Sequence, residues 1–163
     1  GFQEFYGFSP KEAIRAVGYY REYYGKQGIF QNKLYEGIPK MLETLQANGV
    51  TLLVATSKPE PYAKEIIQHF HLESFFLYIA GGNMDGTRCK KQEVISYALQ
   101  TCRFYDKKGI AMVGDRRHDI EGAKSCGIDS IGVLYGYGSE KELMDAGAGQ
   151  VAASPEELLS ICL

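Results

Sequence analysis

The sequence predicts an α/β fold, a Rossmann-like parallel sheet flanked by helices, with a partial helical cap at the N-terminus. Three observations carry that expectation. From residue 35 onward, short apolar runs alternate with helical patterns, as in a parallel sheet wrapped by helices. The runs lead into TSKP, NMDGT and GDRRHD, polar clusters of the kind that collect functional residues at strand carboxyl ends. Residues 1–34 carry helical patterning alone, so they read as a cap segment and residues 35–163 as the core.

In order, SPKE supplies a cap at Ser9, a proline at the first helical position and a glutamate three after the cap, which starts a helix that stops near Gly25. A second helix fits GIPKMLETLQANG, where Ile38, Met41, Leu42 and Leu45 share a face and Gly49 takes the left-handed stop. VTLLVAT follows as a buried strand. The alternation continues through helix PYAKEIIQHF, strand FFLYIA, helix KQEVISYALQTC, strand IAMVG, helix HDIEGAKSC, strand SIGVL, helix SEKELMDAG and strand QVAA. A last helix opens at Ser154 on a second cap, proline and glutamate signature, SPEE.

Composition narrows the function. With 163 residues, 45% of them hydrophobic, the chain builds one ordinary core. Eighteen basic against twenty acidic residues leave a net charge of -2, which argues against nucleic acid polymers and anionic membranes as partners and for a small molecule. Cys89, Cys102, Cys126 and Cys162 form no C-x-x-C pair and read as reduced thiols of a cytoplasmic protein. No stretch approaches the ~20 apolar residues of a membrane span.

Three strand ends can carry chemistry. In GDRRHD, Asp115 stands at a strand end and Asp119 in the first turn of the next helix, a pair of hard oxygen donors suited to magnesium. Asp119 alone reads equally as an acid favoured by the helix dipole. Thr56 and Ser57 in TSKP offer hydroxyls and N–H groups to an anion, or form a plain helix cap. Lys91 opens a helix at its positive end, where a lysine is misplaced unless something negative is near; otherwise it and Lys90 are solvated surface charges.

A hydroxyl at Thr56, a lysine at Lys91 and the acids Asp115 and Asp119, in that order, resemble motifs two, three and four of the haloacid dehalogenase-like phosphatases. The blocks LYEGIPKMLETLQANGVTLLVATSKP, GTRCKKQEVISYAL and VGDRRHDIEGAKSCGIDSIGVLYGYGSEKEL resemble the branch that contains phosphoglycolate phosphatases and bacterial 5'-nucleotidases. The resemblance implies magnesium-dependent hydrolysis of a small phosphate monoester, narrowly a nucleoside monophosphate, through an aspartyl-phosphate. It implies that Thr56 and Ser57 hold phosphate oxygens, that Lys91 neutralises charge on the phosphate and fixes the nucleophile, and that Asp115 binds magnesium with Asp119 alongside. Thr56, Lys91 and Asp119 would then be the catalytic set. Lys58 and Arg88 lie near the implied phosphate site and suit a second anionic group.

The resemblance places the nucleophile in an Asp-x-Asp segment upstream of the cap, and no such pair precedes Ser9. NMDGT looks like that segment with Asn83 in the nucleophile's place, but GTRCKK matches a Gly-Thr-Arg-x-x-Lys block of the branch, so NMDGT is a look-alike between motifs two and three. The nucleophile strand would lie mid-sheet, between LLVAT and IAMVG. Its absence would leave buried donors and acceptors unmet at about 1–3 kcal/mol each, against a domain stability of ~5–15 kcal/mol. The expectation is therefore an incomplete, inactive chain, or one with a substitute for that strand.

Two other readings compete. A non-catalytic phosphate- or metal-binding or regulatory module uses the same scaffold. YGYGSEKE suggests a nucleotide-binding turn, but Gly136 and Gly138 lack the third glycine and read as a mobile turn near the site. His69 and His71 read as helix-end residues, His118 has no role, and the tyrosines at 19, 20, 23 and 24 pack the cap.

Overall fold

The computed structural model describes residues 2–163. It divides into two compact units, Gly1–Lys33 and Leu34–Leu163.

The first unit holds α1 (Phe2–Tyr6), which sequence reading did not anticipate, then α2 (Pro10–Lys26) and a 3-10 turn over Gly28–Phe30. The capping box expected at Ser9 is formed. Its N–H donates to Glu12 Oε2 at 2.8 Å and its hydroxyl accepts from the Glu12 N–H at 3.4 Å, satisfying donors that a helix start leaves open. The rings of Tyr20 and Tyr24 stack at 5.4 Å. The Tyr23 hydroxyl donates to Gln31 at 3.0 Å, tying the turn back to α2.

The second unit runs α3 (Ile38–Ala47), β1 (Leu52–Pro59), α4 (Glu60–His69), β2 (Phe76–Gly82), α5 (Lys91–Thr101), β3 (Ala111–Gly114), α6 (Arg117–Cys126), β4 (Asp129–Val133), α7 (Glu140–Ala146), β5 (Gln150–Ala152) and α8 (Pro155–Cys162). Every strand and helix expected after residue 35 is present. The predicted α3 face is the buried one, with Met41, Leu42 and Leu45 in the core, and Gly49 beyond its end adopts φ +80°. β1 runs further than expected, past Thr56 and Ser57 to Pro59, and α4 starts at Glu60, one residue before the expected Pro61.

All strand pairs are parallel, but the sheet is in two parts. β1 pairs with β2, Val54 opposite Ile79. Separately, β3 pairs with β4 and β4 with β5, Val113 opposite Ile131 and Val133 opposite Ala152. The two ladders share one core. Leu52 of β1 and Phe76 of β2 pack on the cluster of Met41, Leu42, Leu45, Ile131, Val133 and Leu158. Ala55 of β1 and Met112 of β3 both rest on Ile95, Leu99 and Cys126, which α5 and α6 supply.

β1 and β3 do not pair with each other, so each ends its ladder with an open edge. This corrects the expectation of a buried VTLLVAT strand: no residue of β1 is fully buried. In β3, Val113 is 38% exposed. A strand of an α/β sheet is normally covered on both faces and paired on both edges, and these two are not.

Two measurements check this account. In amide hydrogen exchange on residues 1–163, β4 is protected throughout, whereas alternate amides of β1 and β3 exchange nearly unprotected; uniform protection of both strands would mean that their edges are covered. Leu158→Ala, at a position 2% exposed, lowers unfolding free energy by about 2–5 kcal/mol in denaturant titration.

Candidate active site

The carboxyl ends of β1, β2 and β3 and the first turns of α5 and α6 bring most of the sequence-predicted residues together. Lys91 is the first residue of α5, after Lys90 at the cap. Its ammonium donates to the Ala55 carbonyl of β1 at 2.9 Å and pairs with Asp119 Oδ1 at 2.7 Å. The two side chains are 14% and 8% exposed. The lysine at a helix start is thus matched by a carboxylate, and one side chain links α5, α6 and β1.

Asp119 sits in the first turn of α6 and is also bonded there, its Oδ2 accepting the Arg116 N–H at 3.1 Å. Both of its oxygens are engaged. Asp119 thus makes the first-turn helix contact and the ion pair to Lys91 at once. Asp115, just past β3, accepts the Tyr137 N–H on Oδ2 at 2.8 Å, and its Oδ1 takes no hydrogen bond among the described residues. The mobile-turn expectation for Gly136 and Gly138 needs correcting here, because the turn is tied to Asp115. A Cβ on Gly136 would run into the Asp115 side chain, and one on Gly138 into the Asp115 carbonyl.

Glu142 of α7 anchors the GDRRHD turn. Its Oε1 accepts from Arg117 N–H and Arg116 Nε, each at 3.0 Å. The Arg117 N–H first, and Arg116 with it, hold the Glu142 carboxyl below the usual range. Sequence reading missed Glu142 and the Tyr137 amide. Both act from more than twenty residues away, and a backbone amide has no signature in sequence beyond the glycines that let it approach.

At the end of β1, Thr56 Oγ1 accepts the Lys58 N–H at 3.2 Å. Ser57 lines an open groove of about 480 Å³ together with Lys91, His118 and Glu121. Arg88, expected near the substrate, has other partners: Nε donates to the Gly81 carbonyl at 3.0 Å, Nη2 to Glu60 at 3.2 Å, and its guanidinium lies 3.6 Å over the Tyr97 ring. NMDGT closes on itself. Asp85 Oδ1 accepts from the Thr87 N–H at 2.9 Å and hydroxyl at 2.7 Å, and Asn83 Nδ2 donates to Thr87 Oγ1 at 2.8 Å.

Two carboxylates and one ammonium leave the site with a surplus negative charge, a setting for a divalent cation. Among the described residues no three His, Cys, Asp or Glu side chains gather into a metal-binding group. Magnesium does not require three, since it is commonly held by one or two carboxylates with water and substrate phosphate. The hard oxygens of Asp115 and Asp119 fit it. Among the described residues no helix is long and apolar enough to cross a membrane.

A 5'-nucleotidase of Pseudomonas aeruginosa is 44% identical over 147 residues, 87% of this chain and 64% of the relative. A tyrosine-protein kinase, PtkA, of Mycobacterium tuberculosis is 45% identical over 132 residues, 81% of this chain and 44% of that protein. The chain thus spans about half to two thirds of the length of these two relatives. A crystal structure from Clostridium difficile, assigned provisionally as a phosphatase, superposes with a TM-score of 0.92 at 50% identity, covering 99% of this chain and 75% of that one. The pattern of the haloacid dehalogenase-like hydrolases matches residues 2–133, and with the motif residues assembled as above, the chain belongs to that family.

Proposed function

We propose that the polypeptide containing this chain is a magnesium-dependent phosphatase acting on a small phosphate monoester. The observation that carries the reading is Lys91, held between the Ala55 carbonyl and Asp119 at the meeting of three strand ends. A cation fixed there stabilises charge on a transferring phosphoryl group at no cost in reorganisation, the largest usual contribution in phosphoryl transfer. Thr56 and the Ser57 backbone bind phosphate oxygens, and Asp119 keeps the ammonium in place. Asp115, with Asp119 alongside, holds magnesium, which supplies charge neutralisation of the phosphate when bound.

The nucleophile in this reading is an aspartate on a strand that pairs between β1 and β3. Support comes from the open edges of those strands and from the half-exposed Val113. Its carboxylate oxygen attacks phosphorus, the bond to the ester oxygen breaks, and a second acid protonates the leaving alcohol. Water, deprotonated by the same acid, then attacks the aspartyl-phosphate and releases phosphate. Residues 1–163 alone provide the supporting groups and no turnover. A nucleoside monophosphate is the preferred substrate, on the name borne by the Pseudomonas relative.

The test is hydrolysis of a panel of nucleoside monophosphates and phosphoglycolate by the full-length polypeptide with magnesium. Lys91→Met and Asp115→Asn each lower kcat about 10²–10³-fold, and chelation abolishes turnover. Parent-like rates in Asp115→Asn would refute the metal role, and turnover by residues 1–163 alone would refute the missing-strand account.

A further inference from the structure

Arg88 stands three residues before Lys91 in a backbone conformation that L side chains avoid, φ +48°. Such a conformation persists where surrounding contacts over-determine it. Here the contacts are the fork of Arg88 to Glu60 and the Gly81 carbonyl, and its stacking on Tyr97. Glu60 in turn accepts the Gly81 N–H at 3.3 Å and the Lys64 ammonium at 2.7 Å. Burial pushes the Glu60 carboxyl up, but Lys64, the Gly81 N–H and Arg88 outweigh it and hold it below its ordinary value. The Tyr97 hydroxyl is bonded to that of Tyr78 at 2.9 Å, which fixes the ring under the guanidinium.

The backbone is equally tight. A Cβ on Gly81 would lie 2.6 Å from the Glu60 nitrogen, and one on Gly82 would lie 2.9 Å from the Ser57 carbonyl and 3.2 Å from that of Arg88. The end of β1, the end of β2 and the segment leading to Lys91 are thus stacked at distances only glycine allows. On the other side of Lys91, the Glu93 side chain accepts the Lys90 N–H at 3.2 Å.

From this we infer that Arg88, with Glu60, is a positioning residue: the pair clamps the segment before α5 against the β1 and β2 ends, and so aims the Lys91 ammonium at Asp119 and Ala55. The inference rests on reading Lys91 as the cation of a phosphate site. It gives Arg88 a task other than contact with a second anionic group of the substrate.

The test uses the full-length polypeptide and Arg88→Asn, because asparagine tolerates the left-handed conformation while removing the fork and the stacking on Tyr97. Acetylation of lysines by an amine-directed reagent is mapped by mass spectrometry, with exposed Lys141 as the internal reference. Arg88→Asn raises Lys91 labelling relative to Lys141 at least several-fold and lowers kcat by up to about 10²-fold with KM little changed. Guanidinium ion, at concentrations below those that unfold the protein, fits between Glu60 and Tyr97 and restores part of both. Unchanged Lys91 labelling in Arg88→Asn overturns the inference, as does a rise in KM alone, which would return Arg88 to the substrate. If Arg88→Asn is insoluble, Glu60→Gln decides by the same labelling. A parent enzyme that hydrolyses no ester sinks the phosphatase reading, while the labelling still decides the clamp.

Discussion

The ion pair between Lys91 and Asp119 is the interaction on which the rest of the site depends. It joins the first turn of α5 to the first turn of α6, and through the Ala55 carbonyl it reaches β1. A nearly buried pair of this kind repays its desolvation only when both partners keep further hydrogen bonds, and both do. Asp119 retains the Arg116 N–H, and Lys91 retains Ala55. Removing one partner would strand the other charge, at a cost of about 3–5 kcal/mol in comparable pairs. The pair therefore ties the starts of α5 and α6 to the end of β1.

The open edges of β1 and β3 make that linkage more consequential. Both strands rest side chains on the same cluster of α5 and α6, so the hydrophobic core already spans the place where a further strand would pair. Packing there is non-directional, and strand pairing is not. A chain with this core can place β1 and β3 on one pair of helices without pairing them to each other. Val113 of β3 is correspondingly exposed.

Much of this was legible in the sequence, for identifiable reasons. Each strand and helix after residue 35 announced itself by apolar period, and the caps at Ser9 and Ser154 marked helix starts in residues that bond their own helices. Lys91 could be singled out because its charge is wrong for its place on a helix, an anomaly that needs no structure to notice. Other parts were illegible because they are relations between distant segments. Glu60 opens α4, and nothing in its surroundings in sequence points to Arg88, twenty-eight residues on. Arg88 was read by its charge as a partner for an anion. Its guanidinium is instead engaged within the protein, by a carboxylate, a carbonyl and a ring.

The glycines of the site are a further case of relations between distant segments. Gly114 leaves the space into which the Asp119 side chain fits, Gly122 would bring a Cβ to 2.8 Å from Lys91 Cγ, and Gly136 lies against the Asp115 carboxylate. In sequence Gly136 reads as part of a mobile turn, and Gly114 and Gly122 pass as ordinary strand and helix positions. In the fold each marks where backbone closes on a charged side chain, so that Lys91, Asp115 and Asp119 each touch a neighbour too close to have a side chain of its own. Glycine here removes freedom from the adjacent group, although it is the most flexible residue by itself. A site whose charges are held by backbone contacts of this kind has its geometry set before any ligand arrives, and preorganisation of that sort is what electrostatic stabilisation of phosphoryl transfer requires.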